Sequence, residues 1–178
     1  ETATYNLKTG AFPNGCHICE VEVDPDTGVT KVVGHWVVDD VGTIINPTLV
    51  KGQIMGGIAQ GMGQVLMEDK TYGPETGQLL AGSFMDYCMP RADDFCHVAF
   101  KENEVPTPTN LLGVKGAGEA GAVESLSAGV NAIVDAVSHL GIEQTDTPCT
   151  PLRVWEAIRE ARAAQVALAP AAPGTYLV

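Results

Sequence analysis

The sequence predicts an α+β fold, a mainly antiparallel sheet packed with two or three helices, in one domain over residues 1–165. Three observations predict it. Residues 18–24 and 30–38 alternate with a two-residue period, the mark of half-buried strands. Segments near 48–68, 120–140 and 151–164 repeat apolar residues at helical spacing. A chain of 178 residues is also long enough to enclose one respectable core.

Each element has its own signal. Strands at 16–24 and 30–40 are joined across Asp24-Pro25-Asp26-Thr27-Gly28, whose side chains are strong turn formers. In the segment 48–68, Ile54, Ile58, Met62 and Val65/Leu66 make one apolar stripe. Tyr72-Gly73-Pro74-Glu75-Thr76-Gly77 reads as a hairpin-like turn, and 94–102 as another strand. From Ala120 to Leu140, Val123, Leu126, Val130, Ile133/Val134 and Val137 predict an amphipathic helix. His139 before Gly141 suits a helix C-terminus. Thr150 as N-cap and Pro151 at the first helical position open a last helix through about Ala164. The Ala/Pro-rich tail at 166–178 has little to pack and is expected to be flexible. There is no internal repeat.

Two glycine-rich segments concentrate the chemistry. Residues 113–121 hold four glycines, Gly113, Gly116, Gly118 and Gly121, so backbone N–H groups can approach a ligand closely. A helix follows directly, which makes an anion-binding arrangement. Glu119 stands inside it, a negative charge that a bare phosphate cradle would not use. Either it removes a proton, or it complements the helix dipole for about 0.3–1 kcal/mol. The Gly-x-Gly-x-x-Gly pattern at 116–121 lacks the preceding strand of a dinucleotide site, because 106–110 is Pro-Thr-Pro-Thr-Asn. The second segment, 52–66, holds five glycines, each costing roughly 1 kcal/mol in a helix. Close approach of a cofactor would offset that cost, and so would tight helix–helix packing. Gln53, Gln60 and Gln64, between Lys51 and Glu68, exclude a membrane span.

These segments carry a resemblance. Glu20-Val21-Glu22-Val23-Asp24 with Thr27-Gly28, Val38-Asp39-Asp40-Val41-Gly42 with Asn46-Pro47, the Gly52–Gly63 stretch, and Pro106-Thr107 through Gly121 together resemble the xanthine dehydrogenase/aldehyde oxidase family, the molybdenum hydroxylases. The likeness runs from about Phe12 to about Ile158, to the C-terminal end of the molybdenum-binding large subunit. It is closer to bacterial carbon monoxide dehydrogenase-like members than to animal xanthine oxidoreductases. The resemblance implies that residues 1–165 are the C-terminal portion of a molybdenum-cofactor-binding domain. The family's subunit is several times longer and this chain begins with Glu1, so an excised piece is expected.

What the resemblance implies about chemistry is specific. Molybdopterin with molybdenum, in its cytosine dinucleotide form, serves the full enzyme. FAD and [2Fe-2S] clusters lie on other segments or subunits, and no cofactor is expected on the isolated chain. Glu119 matches the general base that activates the molybdenum-bound hydroxide, by which a carbon substrate gains water-derived oxygen. A partly buried carboxylate is the expected form of that base. Gln53 matches the glutamine that hydrogen-bonds the pterin, since an amide both donates and accepts. Lys115, Gly116, Ala117 and Gly118 match the backbone-contact loop, and no residue ligates the metal directly. The implied partners are the rest of the molybdenum subunit, the iron–sulfur and flavin subunits or domains, and a small-molecule substrate. One departure is Glu124-Ser125-Leu126-Ser127, where family members often carry small residues and prolines; Glu124 is expected on the helix's solvent side.

Composition sets the outer limits. A net charge of −12 with only 10 Lys and Arg argues against nucleic acid or an anionic membrane as partner. Absence of a leader-like segment leads to a cytoplasmic expectation. Five cysteines at irregular positions argue against a disulfide framework. Cys16-His17-Ile18-Cys19 could be half of a zinc site or a redox pair. Strand alternation puts its two thiols on opposite faces, and Cys88, Cys96 and Cys149 supply no second pair. His35, His97 and His139 read as ordinary strand or helix-end residues. Two further function classes stand beside the hydroxylase: a non-catalytic scaffold module of the same fold, and a free-standing nucleotide or phosphate binder.

Overall fold

The computed structural model describes residues 2–4, 6, 9–95 and 97–168. Strand β1 (Asn14–Val23) pairs antiparallel with β2 (Thr30–Asp40). Their turn is held as its composition predicts. The Asp24 carboxylate accepts from the Asp26 N–H at 3.0 Å and the Thr27 hydroxyl at 2.6 Å, while Gly28 takes φ +73°. A bulge between Glu20 and Val21 shifts the register once.

Strand β3 (Val98–Glu102) joins the other edge of β2, so the order is β1-β2-β3. This pairing is parallel, so the sheet is mixed rather than purely antiparallel, the longer β1–β2 pairing being the antiparallel one. The reason lies in the connection. Between β2 and β3 the chain runs through a long helix and the turns that follow it, a crossover that returns it in the same direction. The strand is also shorter than expected, because Ala92–Asp94 closes a 3₁₀ turn before it.

Helix α1 (Pro47–Leu66) starts on Asn46, whose side chain accepts from the Leu49 N–H at 3.2 Å. Ile54, Ile58, Met62, Val65 and Leu66 are buried, so the expected stripe is its core face. The hairpin-like turn also forms, with the Gly73 N–H donating to the Gln78 carbonyl at 2.8 Å. Helix α2 (Ala120–Val137) continues into a 3₁₀ turn (Ser138–Leu140) that ends at Gly141 with φ +85°. Helix α3 (Pro151–Leu168) opens on Thr150 and Pro151, and the turn at Gly28 abuts its first residues. It runs beyond Ala164, so 166–168 are helical rather than tail. The rest of the expected tail, 169–178, lies outside the described residues.

The glycines of α1 bring the two long helices together. A Cβ on Gly57 would lie 2.9–3.0 Å from the backbone of Gly121 and Ala122, and one on Gly61 would meet the Ala122 carbonyl at 2.6 Å. On α2, Gly121 faces the Ile54 carbonyl and Gly129 faces Met62. The buried face of α2 is therefore Gly121, Ser125, Gly129, Ile133 and Val137, while Val123 is exposed, against the stripe expected for it. Backbone contact rather than side-chain bulk selects that face. Helix α2 also lies across β1. The core then gathers Val32 and Val37 from β2 with Ile54, Ile58 and Met62 of α1, Ile133 of α2, and Val154 and Ile158 of α3. No helix among the described residues is long and apolar enough to cross a membrane.

Candidate functional site

The loop before α2 is tied to the end of β2. Asp40, the last residue of that strand, accepts from the N–H groups of Gly42 at 2.8 Å and Val105 at 3.1 Å. The Lys115 ammonium closes the set with a short ion pair to the same carboxylate. Burial pushes the Asp40 pKa up, but Lys115 and the two N–H donors outweigh it and hold the carboxyl below its ordinary range. Gly113, at φ +68°, lends its carbonyl to the N–H groups of Thr43 (3.0 Å) and Thr107 (3.1 Å). Asn110 clamps Val114 from both sides, accepting from its N–H at 3.1 Å and donating to its carbonyl at 2.8 Å. The loop is thus held by its two flanks. The segment 106–112 contains no strand, so the dinucleotide pattern lacks its structural context.

The two glycine-rich segments meet. The Gln53 side-chain amide of α1 donates to the Gly118 carbonyl at 3.1 Å, across 65 positions of sequence. Around this contact the surface is bare: Cβ atoms built on Gly52, Gly56, Gly116 and Gly118 would touch nothing within 4 Å. Among the described backbone hydrogen bonds, none uses the N–H of Gly116, Ala117 or Gly118. These N–H groups lead into the N-terminus of α2, the positive end of its dipole. The Lys115 side chain is committed to Asp40, and its N–H donates to the Val41 carbonyl at 2.9 Å.

Glu119 is the N-cap residue of α2, yet its carboxylate makes no capping hydrogen bond. It is exposed, and none of the described residues covers it. Gln53 is exposed as well. The face formed by Gln53, Gly116, Gly118 and Glu119 is therefore open. It suits a flat, anionic, hydrogen-bonding group that approaches bare backbone and leaves a carboxylate at its rim. A groove of about 730 Å³ lies elsewhere, between Gln144–Thr147 and α3, and includes none of these residues.

A second polar cluster lies under α2, and the sequence reading missed it. Glu124 does not face solvent; it reaches back to the sheet, with Oε2 3.2 Å from His17 Nε2. His17 Nε2 is also 3.5 Å from Asp39 Oδ1, and His17 Nδ1 lies 3.2 Å from His35 Nε2. Burial first, and His17 second, push the His35 pKa down to about 4, so it is neutral at neutral pH. Register gives the cause. Gly15, His17 and Cys19 of β1 pair with Asp39, Val37 and His35 of β2, and the odd-numbered positions of β1 turn inward. Cys16 and Cys19 consequently occupy opposite faces, Cys16 exposed and Cys19 half-buried. The available signal was the inward alternation itself, which put a histidine rather than a valine on the covered face.

The chain matches the family model of the molybdopterin cofactor-binding domain over residues 1–96. It is 35% identical over 156 residues to the carbon monoxide dehydrogenase large chain of Hydrogenophaga pseudoflava, covering 88% of this chain and 19% of that one. It is 39% identical over 158 residues to the nicotine 6-hydroxylase large subunit of Paenarthrobacter nicotinovorans, covering 89% and 19% respectively. Among solved structures it is similar to quinoline 2-oxidoreductase from Pseudomonas putida 86. There the TM-score is 0.78 and the identity 41%, over 83% of this chain and 19% of the other. The chain thus spans about a fifth of the length of these relatives.

Proposed function

The chain belongs to the molybdopterin cofactor-binding domains of the molybdenum hydroxylases, and from that membership we propose that it forms the C-terminal part of the cofactor site in a molybdenum-dependent oxidoreductase. In this reading Glu119 is the general base and Gln53 with residues 115–118 holds the pterin. The observation that carries it is the Gln53–Gly118 hydrogen bond, which joins two glycine-bared segments into one open face.

When bound, the molybdenum–pterin group supplies the two-electron oxidation of a carbon substrate. This chain's residues do the rest. The N–H groups of 116–118, unused among the described backbone hydrogen bonds, would hold the anionic edge of the group at the positive end of α2. Gln53 spends one N–H on Gly118 and offers its remaining amide atoms to the pterin. Glu119, uncapped and unpaired with the helix N–H groups, accepts a proton from the water-derived nucleophile. Because that carboxylate is exposed here, the cover that excludes water comes from the rest of the molybdenum subunit. Phe84, Met85 and Leu111, each at least 90% exposed, support such cover, as apolar side chains are costly to leave in water.

The finer assignments follow the family. The cofactor is the cytosine dinucleotide form, FAD and [2Fe-2S] centres sit on partner subunits or domains, and the enzyme works in the cytoplasm on a small molecule. A test of the base uses the complete enzyme with Glu119→Gln. Glutamine keeps size and hydrogen-bonding shape but cannot take the proton. Molybdenum content should be unchanged, and activity per molybdenum should fall by about 10²–10⁴-fold or more. Near-normal activity per metal would reduce Glu119 to a helix-end charge.

A further inference from the structure

We infer that His17, Asp39 and Glu124 form a binding site for one divalent transition-metal ion of the zinc type, separate from the molybdenum chemistry. It sits between β1, β2 and the second turn of α2. One imidazole nitrogen and two carboxylate oxygens come within 4.8 Å of one another there. The N–O separations are 3.2 and 3.5 Å. Two ligands each about 2.0–2.2 Å from a tetrahedral zinc ion are themselves roughly 3.3–3.5 Å apart. Both N–O separations are close to that spacing, and the two carboxylate oxygens stand no more than 4.8 Å apart.

A second observation is the want of partners. The His17 and Asp39 side chains are both 1% exposed. Beyond these approaches to one another, His17 Nε2, both Asp39 carboxylate oxygens and Glu124 Oε2 are buried without a hydrogen-bond partner. Buried polar atoms are almost always satisfied, and buried carboxylates are paired or coordinate metals. Among the described ion pairs, no lysine or arginine reaches the cluster; Lys115 is spent on Asp40 and Arg153 on Asp69. Two carboxylates facing an imidazole with no fixed cation leave room for a mobile one.

The surroundings suit this ion. Gly15 pairs with Asp39, and a Cβ there would run into the Asp39 carboxylate and lie 3.0 Å from Glu124 Oε2, so the strand is bare where the ligands converge. His35 stands edge-on to His17, with ring centroids 5.3 Å apart, and engages its Nδ1. A ligating histidine uses its second nitrogen in this way, which fixes ring orientation and leaves Nε2 for the metal. Mixed imidazole and carboxylate donors fit zinc or manganese better than calcium, which takes oxygen alone. A fourth position is left for water. Glu124, 31% exposed, gives the ion its way in.

Such an ion would pin α2 to the sheet five residues after Glu119. Its role is structural: it fixes the helix whose N-terminus carries the candidate base. The inference rests on this cluster alone and stands or falls apart from the proposed hydroxylase chemistry.

The test uses the full-length protein, stripped by dialysis against a chelator and returned to micromolar zinc. Zinc and molybdenum are measured separately in each sample. One zinc per chain should be retained, with a rise in thermal midpoint. Glu124→Gln and Glu124→Ala, changes at a partly exposed helix position that leave the core intact, should weaken zinc binding by at least about 10–100-fold. They should also abolish the zinc-dependent rise. His17→Gln should do the same. Cobalt in place of zinc should show no thiolate charge-transfer band, which separates this site from Cys16 or Cys88. Failure to retain zinc, equal retention by the Glu124 variants, or a thiolate band would each overturn the assignment.

Discussion

At the scale of single residues, Lys115 and Asp40 decide whether the glycine loop has a shape. Their side chains are 11% and 5% exposed, so the pair is largely withdrawn from water. Removing one partner from such a pair leaves a buried charge and costs at most about 3–5 kcal/mol. The Gly42 and Val105 N–H groups still serve the carboxylate, which moderates the loss. Lys115→Met should therefore lower the denaturant midpoint clearly. The double variant Lys115→Met/Asp40→Asn should recover part of it, because the uncompensated charge is gone. If the double variant is no more stable than the single one, the ion pair is not what holds the loop. Lys115 was read from its place in the motif as a backbone contact; that its ammonium is committed to β2 required the fold.

At the scale of elements, the glycines of α1 divide by face. Gly57 and Gly61 meet the backbone of α2, whereas Gly52 and Gly56 meet nothing. Helix packing accounts for Gly57 and Gly61, while the side of Gly52 and Gly56 is left bare. Gly57→Ala forces the helices apart and should destabilise the protein by about 1–3 kcal/mol, read from chemical denaturation. Gly52→Ala should stabilise the free chain by roughly 0.5–1 kcal/mol, since alanine is the better helix former. In the complete enzyme the same methyl group would stand on the face proposed for the pterin. Molybdenum retention should then fall while intrinsic stability rises. Unchanged retention in Gly52→Ala would remove the pterin from that face.

At the scale of the whole molecule, the proposed site is uncovered in this chain. The face of Gln53, Gly118 and Glu119 is open, and large apolar residues at 84–85 and 111–112 are exposed. The chain prepared alone should hold no stoichiometric molybdenum and should bind an apolar dye. Metal analysis and dye fluorescence check both. A full complement of molybdenum on the isolated chain would show that these residues suffice for the cofactor.

Local signals determined much of this by themselves. The Asp24–Gly28 turn, the α1 stripe and the Thr150–Pro151 start are read correctly because they depend on neighbours within a few positions. The family was legible in four short motifs, and so were Gln53 and residues 115–119 as candidates. Pairings between distant segments were not. The parallel edge strand depends on the path the chain takes between residues 40 and 98, which alternation along one strand does not encode. The inward face of α2 is set by glycine-to-backbone contact with α1, so the apolar stripe found Ile133 and Val137 but took in Val123 and passed over Gly121, Ser125 and Gly129. Glu124 turned inward for the same reason: the rotation that seats Gly121 and Gly129 on α1 carries it over β1, above His17 and Asp39. Periodicity tells which residues share a face; only tertiary packing decides what that face meets.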